Sequence, residues 1–529
     1  MAVAALCYLL ITALLFRDLL PVITTTLAGD FRDPLLNASI LAWNAKHLPL
    51  TADWWNYPAF APLSGVTAFT EHLLGAYPLA SPVIWTTGNA VLAYNVLLLA
   101  CFPLNGVATY ALVRDLTGSA AGAFVAGLAF AFAPYMSNQL PHVQTLMAYG
   151  MPLALLGLHL YVTRGHNQGL ILFGAGWLLV LLSNAYLIVF FPILVALWVV
   201  WFGRANARRV AAIAVAAAMA TLPAIPLLVG YQVRQAAYGL SRPVSEIELY
   251  SAGLRSLAGI STSSVLWQRW LPNTYNEAAL FPGVAVAVLA IVGVVTAPRR
   301  RVVLFYLACA IVMWLLALGP SHGPYWLLVR LPGARSIRVP ARAWLVAALC
   351  LSVCAGFGAA WLAARPRTRW VAALLAVMIV AEGWFIPSTT AAPALMPSGV
   401  PRGAMAIDLP LLPGDANADA QYRAVLGNYR VVNGYSGYFP PYRDRLRSAL
   451  GDHNPQAFAP FRQRADLYVI VRPDVERPFV TWLEMQPGLE RLPDAGTWRV
   501  YRLARDGSGP PPPVLLPLPK AGEVAGVLP

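Results

Sequence analysis

Charge is scarce in this sequence. Asp, Glu, Lys and Arg make up 11% of its 529 residues, against roughly 25% in a soluble globular domain. Apolar residue types make up 58%. A chain this long with so little charge cannot cover its own surface in water, which excludes a soluble enzyme, a disordered protein and a coiled coil. It reads as a polytopic membrane protein. Lysine is almost missing: only Lys46 and Lys520 stand among 37 basic residues. The net charge of +14 therefore comes from arginine, and no basic stripe forms, so no nucleic-acid partner is expected. The five cysteines, Cys7, Cys101, Cys309, Cys350 and Cys354, all lie in apolar runs and form no CxxC. That excludes a disulfide framework and a zinc site. Also missing are a P-loop, a GxGxxG after a strand, HExxH and GxSxG. Their absence argues against an ATPase, a cytosolic nucleotide-sugar enzyme, a membrane metalloprotease and an esterase. The chain shows neither a repeat of 20–50 residues nor symmetry between its halves, which weakens the case for an inverted-repeat transporter.

What is present is a series of apolar runs, near residues 2–26, 90–113, 119–134, 144–163, 169–184, 186–202, 210–230, 281–297, 302–319, 342–363 and 370–387. Each approaches the length of a bilayer-spanning helix, some short or tilted, so about 11 transmembrane helices are expected. The first run lacks a basic leader and a small-residue cleavage site and reads as a retained span. Arg17 and Asp18 interrupt it, as an ion pair or as snorkelling side chains. The runs flanking Ser183–Tyr186 are two spans or one long kinked helix. Gly118 and Gly122 have the spacing of a helix-dimer motif, read here as internal helix packing.

Arginine placement sets the sidedness. With the N-terminus inside, the cytoplasmic loops hold Arg114, Arg164, Arg204, Arg208, Arg209, Arg299, Arg300, Arg301, Arg365, Arg367 and Arg369 against one acid, Asp115. This is the positive-inside pattern. The bias toward Arg and Ala suggests a bacterial genome, hence the inner (plasma) membrane. The expected organisation is a transmembrane domain over 1–387, with outer loops at about 27–89, 231–280 and 320–341. A small α/β extracytoplasmic domain follows over 388–506, and then a Pro-rich, disordered tail over 507–529. In the C-terminal domain, Leu467–Val471 reads as a buried strand, Trp498–Leu503 as a half-exposed strand and Tyr442–Leu450 as a helix.

The first outer loop opens with Asp30 and Asp33, just after the first span. Pro34 suits the first turn of a helix, and Asp33 would then be its N-cap. The alternative is a general base at the membrane surface, its carboxyl raised toward a useful range by an apolar wall. Glu71 and His72 follow in the same loop, and on a helix they would diverge by about 100°. Either could join an aspartate at substrate. Asp30 and Glu71 are the candidate ligands of a hard divalent cation, Mg or Mn; the other reading is a solvated pair on an interfacial helix. Trp43, like its aromatic neighbours, is an interfacial-belt residue or a platform for a sugar ring. In the next outer connection, His142 and Gln144 stand at the mouth of a span, as caps or as substrate contacts. Arg335, Arg338 and Arg342 are three arginines in eight residues on the outer side, against the positive-inside bias. They fit bidentate binding of a donor phosphate, or pairing with acids of the outer domain.

Several strings carry a resemblance: Asp33-Pro34-Leu35-Leu36-Asn37 with Ile40-Leu41-Ala42-Trp43, Glu71-His72-Leu73-Leu74-Gly75, Leu92-Ala93-Tyr94-Asn95, Arg338-Val339-Pro340-Ala341-Arg342, and Asn433-Gly434-Tyr435-Ser436-Gly437-Tyr438-Phe439-Pro440. Together with an acid just after span one and a polar outer C-terminal part, they resemble the GT-C superfamily of integral-membrane glycosyltransferases, in particular a bacterial group of that type. The resemblance implies a polyprenyl-phosphate-linked sugar donor and a glycan or lipid acceptor at the outer face. It implies Asp33, or Asp30, as base, inversion at the anomeric carbon, and Arg338 or Arg342 balancing the leaving phosphate, with or without a metal. The Asp-x-x-Asp spacing departs from the commoner form, in which the two acids are closer. Asn44 stands where the similar proteins lead one to expect an acid. Two rivals remain: a lipid-linked glycan carrier, which should place charges along a midplane path, and a non-catalytic scaffold of the same fold.

Overall fold

Every one of the eleven apolar runs contains a helix. The computed structural model describes residues 1–203, 206–274, 276–331, 333–395, 399–411, 417–463 and 465–506; the Pro-rich stretch 507–529 lies outside the described residues. Among the described residues, seven helices are long and apolar enough to cross a membrane: Ala90–Thr117, Ala120–Asn138, Val143–Arg164, Ala185–Gly203, Ala207–Ala237, Arg300–Ala317 and Pro340–Ala363. Ala2–Leu15, Gln168–Ser183 and Val284–Thr296 are shorter apolar helices. Arg369–Glu382 fills the eleventh position.

One detail differs from the sequence expectation, and at a second the structure decides between the two readings. The first helix stops at Leu15 rather than continuing through Arg17 and Asp18. Those two side chains pair at 3.6 Å and are largely exposed. The runs flanking Ser183–Tyr186 are two helices. Asn184 breaks the chain in an extended conformation (φ −152°, ψ 120°). Its Oδ1 accepts the N–H groups of Tyr186 and Leu187 at 2.8 and 3.4 Å. An asparagine that caps the next helix is a stop signal as well as a start.

The chain divides into two compact units. The first gathers residues 1–23, 95–226 and 242–389 and is helical. Its helices meet through small residues. A Cβ added to Gly122 would lie 2.5 Å from the carbonyl oxygen of Gly356, and one on Gly157 would lie 2.5 Å from that of Gly169. Backbones this close gain dispersion contact where lipid offers no hydrophobic drive. Gly122 therefore serves packing inside the chain, while a Cβ on Gly118 would meet nothing. All five cysteines are free; four are buried and Cys7 is half-buried.

The second unit gathers residues 24–94, 227–241 and 390 onward. Its centre is a five-stranded sheet in the order Arg430–Val431, Met405–Leu409, Leu467–Val471, Arg499–Leu503, Leu489–Arg491. The first three strands run parallel and the last two pair antiparallel. Leu467–Val471 is central and covered on both faces, as a continuous apolar run should be. Leu467, Val469 and Val471 pack with Leu446, Phe458, Phe461 and Leu483. Ile470 packs on the other face with Ala420, Ala424 and Tyr429. Helix Tyr442–Gly451 is where the sequence places it.

Candidate functional site

The first-loop helix runs Asp33–Lys46, with Arg32 as its N-cap and Pro34 in its first turn. Asp33 is thus the first helical residue and not the cap, one position later than the Pro34 argument gives. Its Oδ1 accepts a hydrogen bond from the Tyr435 hydroxyl at 2.9 Å. The positive end of the helix dipole favours the anion at this position. Asp30 is exposed, and its Oδ1 accepts the backbone N–H of Arg32 at 3.0 Å, turning the chain into the helix.

Tyr435 is delivered by the sheet. Asn433, just past strand Arg430–Val431, brackets the backbone of Asp408: it accepts the Asp408 N–H at 3.0 Å and donates to the Asp408 carbonyl at 2.8 Å. The Asp408 side chain is buried under Arg423, whose Nη2 also bonds Asp419 at 3.0 Å. Arg472 joins Asp419 at 2.8 Å. The Tyr435 N–H then donates to the Gln421 side chain at 3.0 Å. Ser436 donates to the Phe69 carbonyl at 2.8 Å, and the Tyr438 N–H to the same oxygen at 3.2 Å. The Asn433–Pro440 run is therefore a strap from the sheet edge to the first loop, fixed at both ends.

Glu71 and His72 are not on a helix. They occupy an irregular stretch between the short turns Val66–Phe69 and Leu74–Ala76. Glu71 is half-buried. His72 is buried, and its Nδ1 accepts the Leu74 N–H at 3.1 Å. Burial pushes the His72 imidazole down to about 4, so it is neutral at pH 7. Asn44 has a structural duty: it donates to the His72 carbonyl at 2.8 Å and accepts from the Trp54 indole at 2.7 Å. Trp43 also turns inward. Its indole N–H bonds the Trp54 carbonyl at 2.8 Å, and its ring stacks on His47 at 3.5 Å. Among the described residues no group of three or more His, Cys, Asp or Glu side chains is placed to hold a metal ion, Asp30 and Glu71 included.

A pH effect follows from His72. The native imidazole resists protonation until about pH 4, whereas an unfolded one protonates near 6.5. The unfolded state therefore binds more protons between those values, and stability falls as pH drops through that window. The loss below it is about 3 kcal/mol. Thermal melts from pH 7 to 4 should show this slope, and His72→Asn should flatten it. An unchanged slope in the variant assigns the acid sensitivity elsewhere.

The remaining candidates lie in the first unit. Residues 134–146 form two short helices, Pro134–Asn138 and Val143–Leu146. His142 Nε2 lies 3.9 Å from Glu277, and Gln139 donates to Glu277 at 3.3 Å. Arg342 grips Glu277 with both arms of its fork, Nε at 3.2 Å and Nη2 at 2.6 Å. It also lies 4.4 Å over the Tyr186 ring. Burial pushes the Glu277 carboxyl up, but Arg342 beside it, helped by His142, brings it down to about 2. Arg338 lies 3.7 Å from Glu246 and 4.7 Å over Tyr250. Arg335 donates to the Arg242 carbonyl at 3.1 Å. Gln144 is buried, and its backbone carbonyl accepts from the Asn184 side chain at 3.0 Å. Arg338 and Arg342 thus pair with acids, and the acids come from the 231–280 stretch rather than from the C-terminal part of the chain. Glu246 and Glu277 were missed as partners, although each is one of few acids in an apolar chain. Tyr435 was visible only as part of a Gly- and Tyr-rich run.

Apolar helices long enough to cross a membrane and a small mixed sheet define a multi-pass membrane protein with a GT-C-like fold. Two solved membrane glycosyltransferases share it. The arabinofuranosyltransferase AftD from Mycobacteria aligns over 96% of this chain at TM-score 0.54 and 15% identity, and this chain spans only 40% of AftD's length. ArnT from Cupriavidus metallidurans, bound to undecaprenyl phosphate, aligns over 96% of this chain and 99% of its own at TM-score 0.51 and 13% identity. At such identities the likeness is one of fold. No protein-family profile matches the sequence, and no curated protein matches it significantly.

Proposed function

We propose that this protein is an inverting membrane glycosyltransferase of the bacterial inner membrane. It moves a sugar from a polyprenyl-phosphate donor to an envelope glycan or lipid on the outer face. The observation that carries the reading is the Asp33 carboxylate. It opens a helix just after the first span, is half-buried, and is oriented by the Tyr435 hydroxyl at 2.9 Å. In this reading Asp33 takes the proton from an acceptor hydroxyl as that oxygen attacks the anomeric carbon. The C–O bond to the donor phosphate breaks on the opposite side, and the phosphate leaves with the electron pair. A lipid-phosphate donor suits the outer face, where nucleotide sugars are not supplied. The fold shared with AftD and ArnT supports the class of chemistry.

The test is a deletion strain carrying either the native gene or Asp33→Asn, with envelope glycans and glycolipids compared by mass spectrometry. A glycan mass restored only by the native form, at equal membrane levels of protein, supports transfer and names the sugar by its mass difference. Equal restoration by both forms moves the carrier or scaffold reading to the front.

A further inference from the structure

Arg234 has no carboxylate partner among the described residues, yet it is held in place. Its guanidinium lies 4.0 Å over the Trp55 ring. Its Nη1 donates to the Gly230 carbonyl at 3.1 Å. Its Nε–Nη2 edge, the side-on pair that grips an oxyanion with two parallel bonds, has no acceptor in the protein among the described residues. Arg234 lines a pocket of about 460 Å³ together with Trp55, Asn56, Ser64, Gly65 and Tyr238. Sites for small ligands start near 300 Å³.

The walls are fixed before any ligand arrives. The Tyr238 hydroxyl donates to the Ser64 carbonyl at 2.8 Å, and the Gly65 N–H to Asn56 Oδ1 at 2.9 Å. Gly65 has φ +69°, and a Cβ there would come within 3.0 Å of Arg234 Cδ and Nε. Glycine thus permits both the turn and the seating of the arginine stem. The exposed Ser64 hydroxyl is a further donor at the rim.

We infer that this pocket binds a phosphate group, gripped by the Nε–Nη2 edge of Arg234. A stacked guanidinium with an open edge is more weakly hydrated than an ammonium and matches phosphate geometry. The position favours a phospholipid headgroup as the source. Arg234 lies at the polar end of the apolar run Ala207–Ala237. Val229 and Val233, on the same helix, are 50% and 60% exposed, a surface for acyl chains beside the pocket. This site is independent of the transferase reading.

The test uses the full-length protein in mild detergent. Native mass spectrometry measures retention of phosphatidylglycerol and of diacylglycerol, which shares the chains but lacks the phosphate. Equilibrium dialysis measures inorganic phosphate. Wild type should hold phosphatidylglycerol about tenfold or more tighter than Arg234→Gln, from the loss of two charge-assisted bonds. Diacylglycerol should bind weakly and equally to both. Inorganic phosphate bound only by wild type, and displacing the lipid, identifies free phosphate as a sufficient ligand. Arg234→Lys keeps the charge and stem but not the edge, and should recover only part of the affinity. It serves if the glutamine variant melts early. Equal phosphatidylglycerol affinity in wild type and both variants, with no Arg234-dependent phosphate binding, overturns the proposal.

Discussion

Asp33→Asn is expected to slow sugar transfer by about 10²–10⁴-fold, the usual contribution of a positioned base. Asparagine has nearly the same shape, and its Oδ1 can still accept the Tyr435 hydroxyl bond seen at 2.9 Å. The strap and the first-loop helix should stay in place, so the loss would report proton transfer. The measurement is the rate at which the missing glycan reappears after induction, normalised to protein in the membrane. Tyr435→Phe gives the second point. Removing the hydroxyl releases the carboxylate from the orientation that this bond gives it, so the variant should slow transfer by about tenfold or more at equal protein in the membrane. If Asp33→Asn is as fast as the native protein, the carboxylate is only a first-turn charge, worth about 0.3–1 kcal/mol to the helix.

Glu277→Ala is expected to destabilise the protein by about 3–5 kcal/mol, because it strands Arg342 as a buried, unpaired cation. Arg342 is 4% exposed and has both fork arms on this carboxylate. The same pair should respond to acid. The native carboxyl protonates only near pH 2, whereas an unfolded one does so near 4.3. The contribution is thus present above about 4.3 and is lost as pH falls toward 2. Thermal melts of the detergent-solubilised protein read both effects. The double variant Glu277→Leu/Arg342→Met should regain most of the loss, since apolar replacement of a buried pair is often neutral or stabilising. A single variant that melts like wild type would show that Arg342 finds other compensation.

The spans and the central strand were legible because both rest on uninterrupted apolar runs, which composition alone reveals. Leu467–Val471 and helix Tyr442–Gly451 were placed to within a residue. The positions of Glu71 and His72 were not legible, because a helical spacing argument presupposes a helix and these residues lie in an irregular stretch. The arginines of 335–342 were legible as an anomaly of charge, but their partners Glu246 and Glu277 are 92 and 65 residues away from Arg338 and Arg342. No local period connects them. The same holds for Asp33 and Tyr435: each end could be singled out, but their meeting is a property of the folded chain.

That meeting also sets an order of assembly. Asp33 and Tyr435 are 402 positions apart. At the other end of the same helix, Lys46 donates its Nζ to the Val425 carbonyl at 2.8 Å and lies 3.3 Å from Asn428 Oδ1. A ribosome adding about 5–20 residues per second needs on the order of 20–80 seconds to cover the interval. During that time the acid is already translated and its orienting hydroxyl is not. The growing chain therefore passes through membrane insertion without this contact, and translation stalled anywhere before Arg430 would leave spans without the strap that holds Asp33.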